Sequence, residues 1–310
     1  MLEAIDITKQ FKKKKVVDGL NMYIESGETV GLLGPNGAGK STTISMISSL
    51  VPPTSGDVRF HKQSILKNPQ ELRRVLGVVP QEIALYNDLT AKENLLFFGR
   101  IHHMSGKQLQ KKVDEVLELI GLSEQKKVIT KHFSGGMKRR LNIGASLMHD
   151  PEMIIMDEPT VGIDPQSRNH ILETVKRLNQ EIGMSILYTS HYMEEVEFIC
   201  DRIYIMDQGR IIAAGTKDEI KSILSAEKTL IIKVEQPNEK FVQSIRQEAI
   251  VKEVQSSGNM ITIVIPKEVN LFARLFQLAE GTETTIQSIE AQTPTLEDVF
   301  LHLTGRALRN

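Results

Sequence analysis

A chain of 310 residues exceeds what one hydrophobic core ordinarily organises, so more than one domain is expected. Its 40% hydrophobic and 25% charged residues are ordinary for a globular protein, while a net charge of −1 excludes a broad basic field for nucleic acid, and 5% aromatics without Trp exclude a base-stacking platform. Cys200 stands alone, which rules out an internal disulfide and fits a reducing compartment. No apolar run reaches the roughly 18 residues that cross a bilayer, and the first residues lack the apolar core of a signal peptide. A cytosolic location is therefore expected, with any membrane role supplied by a partner.

Residues 2–8 and 16–24 alternate as strands of a small antiparallel sheet, joined by the run Lys12 to Lys15. Four lysines in a turn make a solvated loop or a contact for anionic lipid or phosphate. Phe11 reads either as a strand-end core aromatic or as a ring to stack beneath an adenine.

The apolar run Thr29 to Leu33 reads as a buried strand and Thr43 to Leu50 as a helix, and between them stands GPNGAGKST, Gly34 to Thr42. Gly34, Gly39, Lys40 and Ser41 meet the pattern G-x-x-x-x-G-K-[ST] in the strand-loop-helix context that pattern requires. The chemistry accounts for the residue types. Glycines let the loop curl so that several backbone N–H groups aim at one point, and the helix N-terminus adds its partial positive charge. Lys40 reaches the outer phosphates as a point charge, and the Ser41 hydroxyl is placed to ligate Mg²⁺.

Val51 to Gly56 (VPPTSG) is a loop, and Val75 to Val79 a second buried strand, followed by Pro80 and Gln81. Thr90 and Glu93 form a capping-box signature ahead of a helix over 91–102, and a second helix covers 107–120, so residues 85–130 read as a helical insertion. Residues 153–156 and 185–189 are the next buried strands, each preceded by a helical segment, as parallel βαβ units require. The first ends in Asp157 and Glu158. Asp157 suits a Mg²⁺ ligand beside the phosphate loop, and Glu158 a base for the water that attacks the γ-phosphate.

Between these strands FSGGM, Phe133 to Met137, opens a basic helix. Ser134, Gly135 and Gly136 make a second anion nest with no strand before it and no lysine for the phosphates. Such a half-site makes sense if it closes over a nucleotide held by another subunit. Asp164 before Pro165 is a helix N-cap. His191 follows the strand 185–189, and Ile203 to Met206 and Arg210 to Ala214 read as a hairpin. Beyond Ser225 the order strand (229–234), helix, two strands around Ser256 to Gly258, helix (269–279), strand, helix describes a small α+β domain with no chemical motif.

These residues resemble, over the whole length, the ATP-binding subunits of ABC transporters. GPNGAGKS corresponds to Walker A, Gln81 to the Q-loop glutamine, FSGGM to the signature, MIIMDE to Walker B and VGID (161–164) to the D-loop. His191 matches the switch histidine and Phe11 the A-loop aromatic. Phe133 and Met137 depart from the usual Leu and Gln of the signature. The SGGM form, the run EPTVGIDP and the tail TLEDVFLHLTGR are similar to the exporter branch, which includes daunorubicin-type and linearmycin-type resistance pumps and sodium exporters.

The resemblance implies an α/β fold: a phosphate-loop, RecA-like parallel core with an antiparallel β subdomain and a helical insertion, then a small C-terminal α+β domain. The implied boundaries are 1–224, with the helical subdomain at about 85–150, and 225–310. ATP binding falls to Phe11, Gly34, Pro35, Asn36, Gly37, Ala38, Gly39, Lys40, Ser41 and Thr42, completed by Ser134, Gly135 and Gly136. Mg²⁺ falls to Ser41, Gln81 and Asp157, and catalysis to Glu158, His191 and Gln81. The implied function is ATP hydrolysis that drives efflux of a drug or lipophilic antibiotic, of linearmycin or anthracycline type, through a separate membrane permease. Two such chains would pair head to tail, on the cytoplasmic face of the membrane and without nucleic acid. Export of sodium or another solute is an alternative, and a non-transport ABC ATPase is a further one, although such proteins usually carry long coiled coils or two cassettes. A small kinase or GTPase leaves FSGGM unexplained, and no N-K-x-D motif is present.

Overall fold

In the computed structural model, which describes residues 1–190, 192–224, 227–292 and 295–305, the chain divides between two units, Met1–Lys217 with Thr304 and Gly305, and Asp218–Leu303. The first opens with β1 (Leu2–Phe11) paired antiparallel to β2 (Lys14–Ile24). Pairing runs to Phe11 opposite Lys14, so the lysine run divides: Lys14 and Lys15 lie in β2, and Lys12 (φ +53°) and Lys13 form the turn. Both strands outrun the spans 2–8 and 16–24, because an exposed lysine keeps its charge in water while its backbone stays in the ladder. After β3 (Thr29–Leu33), β4 (Ser55–Phe60) adds to the other side of β1 and pairs with the two-residue β5 (Gln63–Ser64). Ser55 and Gly56, expected in a loop, therefore begin a strand.

The central sheet has the order β10-β9-β3-β8-β7-β6, with β6 Leu76–Val79, β7 Met153–Met156, β8 Ser185–Tyr188, β9 Arg202–Asp207 and β10 Arg210–Thr216. All neighbours are parallel except the β9-β10 hairpin, which turns at Gln208 and Gly209. Every residue of β3, β7 and β8 is buried. That is the unbroken apolar pattern of strands covered on both faces, each large side chain contributing about 1.5–3 kcal/mol on burial. The helices α1 (Lys40–Ile47), α2 (Pro69–Val75), α6 (Pro165–Gln180) and α7 (Met193–Ile199) belong to this layer, and α8 (Lys217–Ser222) follows β10.

The insertion comprises α3 (Ala91–Ile101), α4 (Gly106–Leu119) and α5 (Gly135–Ser146), packed on one another through residues such as Leu95, Val113, Val116 and Leu141, all at or near full burial. The capping box expected at α3 is formed: Thr90 Oγ1 accepts from the Glu93 N–H at 3.2 Å and Glu93 Oε2 accepts from the Thr90 N–H at 2.9 Å, worth about 1 kcal/mol.

In the second unit β11 (Glu227–Val234), α9 (Glu239–Arg246), β12 (Glu253–Ser257), β13 (Met260–Pro266), α10 (Phe272–Gly281), β14 (Ile286–Gln292) and α11 (Leu296–Thr304) follow the order read from the sequence, with sheet order β12-β13-β11-β14. Leu230, Ile232, Ile261 and Ile263 alternate inward against Phe241 and Ile245 of α9 and Leu275 of α10. The helix expected from Val269 begins at Phe272, whose N–H the Asn270 side chain accepts at 3.2 Å. Among the described residues no helix is long and apolar enough to cross a membrane.

Candidate active site

Because β3, β8, β7 and β6 are parallel neighbours, their C-terminal ends line one edge of the sheet, where open α/β sheets bind ligands. The phosphate loop leaves β3 there. Gly39 closes it at φ +111°, and a Cβ at this position would sit 2.7 Å from Met206 Cε and 2.8 Å from the Val16 carbonyl oxygen, so only glycine fits. The chain turns directly into α1 at Lys40, three residues ahead of the Thr43 start expected, because this left-handed residue ends the loop in one step. Pro35 accepts from the Ala38 N–H at 3.1 Å, bracing the turn from within. Lys40 is only 6% exposed, and its Nζ donates to the Gly34 carbonyl at 2.7 Å. Burial lowers its pKa from the ordinary value, while Glu158 and Asp157 oppose that shift.

Over this loop lies a cavity of about 350 Å³. Asn36, Gly37, Gly39, Lys40, Ser41 and Thr42 form one wall, and Gln81 and Glu158 the other. Glu158 is 6% exposed and its Oε2 accepts from Gln81 Nε2 at 3.1 Å, so the glutamine after β6 and the glutamate after β7 meet across 77 residues of sequence. Glu158 sits at φ +48°, a left-handed conformation that costs a non-glycine residue on the order of 1–3 kcal/mol.

What holds it is Thr189, a residue the sequence did not single out. Its buried hydroxyl accepts from the Glu158 N–H at 2.9 Å and donates to Asp157 Oδ1 at 2.9 Å, so one side chain at the end of β8 orients both acidic residues. Arg139 of α5 is a second such residue. Almost fully buried, it donates to the Pro80 carbonyl at 2.8 Å and to the Gln81 carbonyl at 2.6 Å, while Asn142 accepts from the Ala84 N–H at 3.2 Å. The helical insertion thereby grips the loop that carries Gln81. The one sequence signal for Arg139 is its place in the basic start of the helix after FSGGM, and Thr189 had none beyond sitting at a strand end.

The structure does not bring every candidate to this cavity. Ser134 and Gly135 are exposed at the start of α5, outside it. Ser134 caps the helix by accepting from the Met137 N–H at 3.2 Å, and Gly136 is buried where a Cβ would meet Ser167 Oγ at 2.2 Å. Phe133 is buried, so an aromatic takes the place of the usual leucine as a core residue. Asp164 caps α6 through the Ser167 N–H at 2.9 Å, and that bond holds its carboxyl below the usual range. Phe11 is half exposed at the end of β1, with Lys9 Nζ 5.4 Å from its ring centre. His191 lies outside the described residues.

Comparison with known proteins adds to this geometry. Residues 17–161 match the family model "ABC transporter", and residues 215–304 the model "ATP-binding protein DrrA1-3-like, C-terminal domain". The chain is 52% identical to the linearmycin resistance ATP-binding protein LnrL of Bacillus subtilis (strain 168), with 100% of each chain covered. It is 32% identical to the daunorubicin/doxorubicin resistance ATP-binding protein DrrA of Streptomyces peucetius, covering 98% of this chain and 92% of that one. With the Nod factor export ATP-binding protein I of Paraburkholderia xenovorans (strain LB400) it shares 37% identity, over 100% and 98%. Among solved structures, a dimeric post-hydrolysis state of the ATP-binding cassette MJ0796 bound to ADP and Pi superposes with a TM-score of 0.63 at 28% identity, covering 70% of this chain and 98% of that one. A nucleotide-free ATP-binding cassette from an ABC transporter superposes with a TM-score of 0.66 at 30% identity, over 72% and 94%.

Proposed function

The chain belongs to the ATP-binding subunits of ABC transporters, which bind and hydrolyse ATP, and from that premise we propose that it energises export of an antibiotic through a separate membrane permease. The observation that carries the cargo class is the 52% identity to a linearmycin resistance subunit along the entire chain, second unit included. Residues 1–224 form the catalytic domain in this reading and 225–310 an accessory one.

The loop N–H groups and the N-terminus of α1 receive the phosphates, Lys40 compensates the charge of the outer ones, and Phe11 offers its exposed ring to the base. Ser41, Asp157 and the side-chain amide oxygen of Gln81 offer only oxygen donors, the set Mg²⁺ takes, and would hold it. When bound, Mg²⁺ neutralises charge on the β- and γ-phosphates. Glu158 accepts the proton of the attacking water; Gln81 Nε2 bonds its carboxylate, and Thr189 holds its backbone. His191 would be the switch histidine by resemblance alone, since it lies outside the described residues.

Ser134 and Gly135 serve a second copy. Exposed at a helix N-terminus outside the chain's own cavity, they meet the nucleotide held by the partner's phosphate loop. Ser134→Arg is then expected to leave ATP binding intact and abolish hydrolysis. Mixed with Lys40→Ala chains it regains part of the activity, because one of the two composite sites carries both defects and the other neither. Rates measured across mixing ratios check this, and no recovery at any ratio argues for sites complete within one chain.

The export role is tested in cells. Deletion of this chain is expected to sensitise the cell to one or a few amphipathic antibiotics, restored by the wild type and not by Glu158→Gln, with nutrient uptake unchanged. A deletion that abolishes uptake of a solute, or tolerance restored by the inactive variant, overturns the export reading while leaving the ATP site standing.

A further inference from the structure

Glu195, on α7, is 2% exposed, yet it carries a carboxylate. Three hydroxyls converge on its Oε2: Thr160 Oγ1 at 2.8 Å, Tyr188 OH at 2.9 Å and Ser190 Oγ at 2.6 Å. Its Oε1 faces Arg168 Nε of α6 at 3.4 Å, and the Arg168 guanidinium in turn stacks 3.9 Å over the ring of Tyr192. The donors come from separate places. Thr160 lies two residues past Glu158 and leads into the 161–164 loop, Ser190 follows Thr189, and Arg168 lies one turn beyond the Asp164 cap. Ser190 also accepts from the Tyr192 N–H at 2.9 Å.

A buried ion pair is a poor device for stability, since well-packed apolar side chains of the same volume commonly do as well or better. The group makes better sense as a geometric tie. We propose that Glu195 is a positioning residue for hydrolysis: one buried carboxylate locks the turn after Glu158 to the loop after Thr189, so that the two sides of the γ-phosphate site are set together. Burial and the adjacent Glu195 charge hold the Tyr188 phenol well above its ordinary pKa, so it remains a donor. The proposal rests on the reading of Glu158 as the base, and Glu158→Gln in the same assay tests that reading separately.

Glu195→Gln keeps the shape but cannot keep the contacts, because its NH₂ must face either the three hydroxyl donors or the guanidinium. In the purified full-length chain it is expected to lower kcat about 10- to 100-fold, the cost of a small misplacement of reacting groups, with equilibrium ATP affinity unchanged within about twofold. Thr160→Val and Ser190→Ala, each freeing one loop, lower kcat in the same sense. Adding Thr160→Val to Glu195→Gln lowers it no further. Tyr188→Phe removes a hydroxyl from a strand that belongs to neither loop, so it lowers the melting temperature and lowers kcat less than either loop variant does. This contrast separates positioning from bulk stability, and the loop variants carry the test even if Glu195→Gln fails to fold. Full kcat in Thr160→Val and Ser190→Ala overturns the proposal, as does a kcat that tracks melting temperature across all the variants, Tyr188→Phe included.

Discussion

Glu158→Gln is expected to bind ATP as the wild type does and to lose about 10²- to 10⁴-fold in turnover, the usual share of general base catalysis, or about 3–5 kcal/mol on the barrier. The structure makes the substitution unusually clean. The backbone bond from the Glu158 N–H to Thr189 does not involve the side chain, so the φ +48° conformation persists. The amide oxygen can still accept from Gln81 Nε2, and what disappears is the group that takes the proton. Bound ATP that is not hydrolysed then holds two chains together across the Ser134 half-sites. Single-turnover hydrolysis and light scattering with and without ATP measure both consequences. Undiminished hydrolysis removes Glu158 from the base role, and a variant that stays monomeric at saturating ATP counts against the head-to-tail pair.

Lys40→Met is expected to weaken ATP binding by about 10- to 100-fold, the loss of one charge-assisted hydrogen bond of roughly 1.5–3 kcal/mol. Methionine approximates the apolar stem of the buried lysine, so the effect reads the cation rather than the packing. The Gly34 carbonyl loses its donor as well, which costs roughly 1–3 kcal/mol of stability if no water replaces it. Binding is therefore measured well below the melting temperature of the variant, by titration with a fluorescent ATP analogue. Lys40→Ala is expected to bind ATP no better, and wild-type affinity in either variant means that the lysine does not reach the phosphates. Neither substitution touches the loop N–H groups, so residual binding is expected.

Much of the fold was legible because it is written in short range. The phosphate loop is contiguous, and its glycines, lysine and serine each have a fixed reason to stand where they do. The Thr90 and Glu93 box needs only four consecutive positions, and unbroken apolar runs identify β3, β7 and β8 because a strand covered on both faces has no polar side to show. Boundaries were less legible, as at α1 and β2, where backbone geometry and cross-strand pairing outrank side-chain pattern.

The site divides the same way. Local motifs set which residue types stand at the phosphate loop, at the end of β7 and at the start of α5. Which of them meet depends on how the strands and layers pack. The strand order β3-β8-β7-β6 is not the order of the chain, and it is this order that places Thr189 beside Asp157 and Glu158, 31 residues from the latter, and Gln81 against the Glu158 carboxylate. It also buried Arg139 under the Gln81 loop and Glu195 beneath Thr160 and Ser190, and left Ser134 facing outward. A hydrogen bond between distant residues depends on how layers pack, and nothing in the local spacing of either partner encodes it.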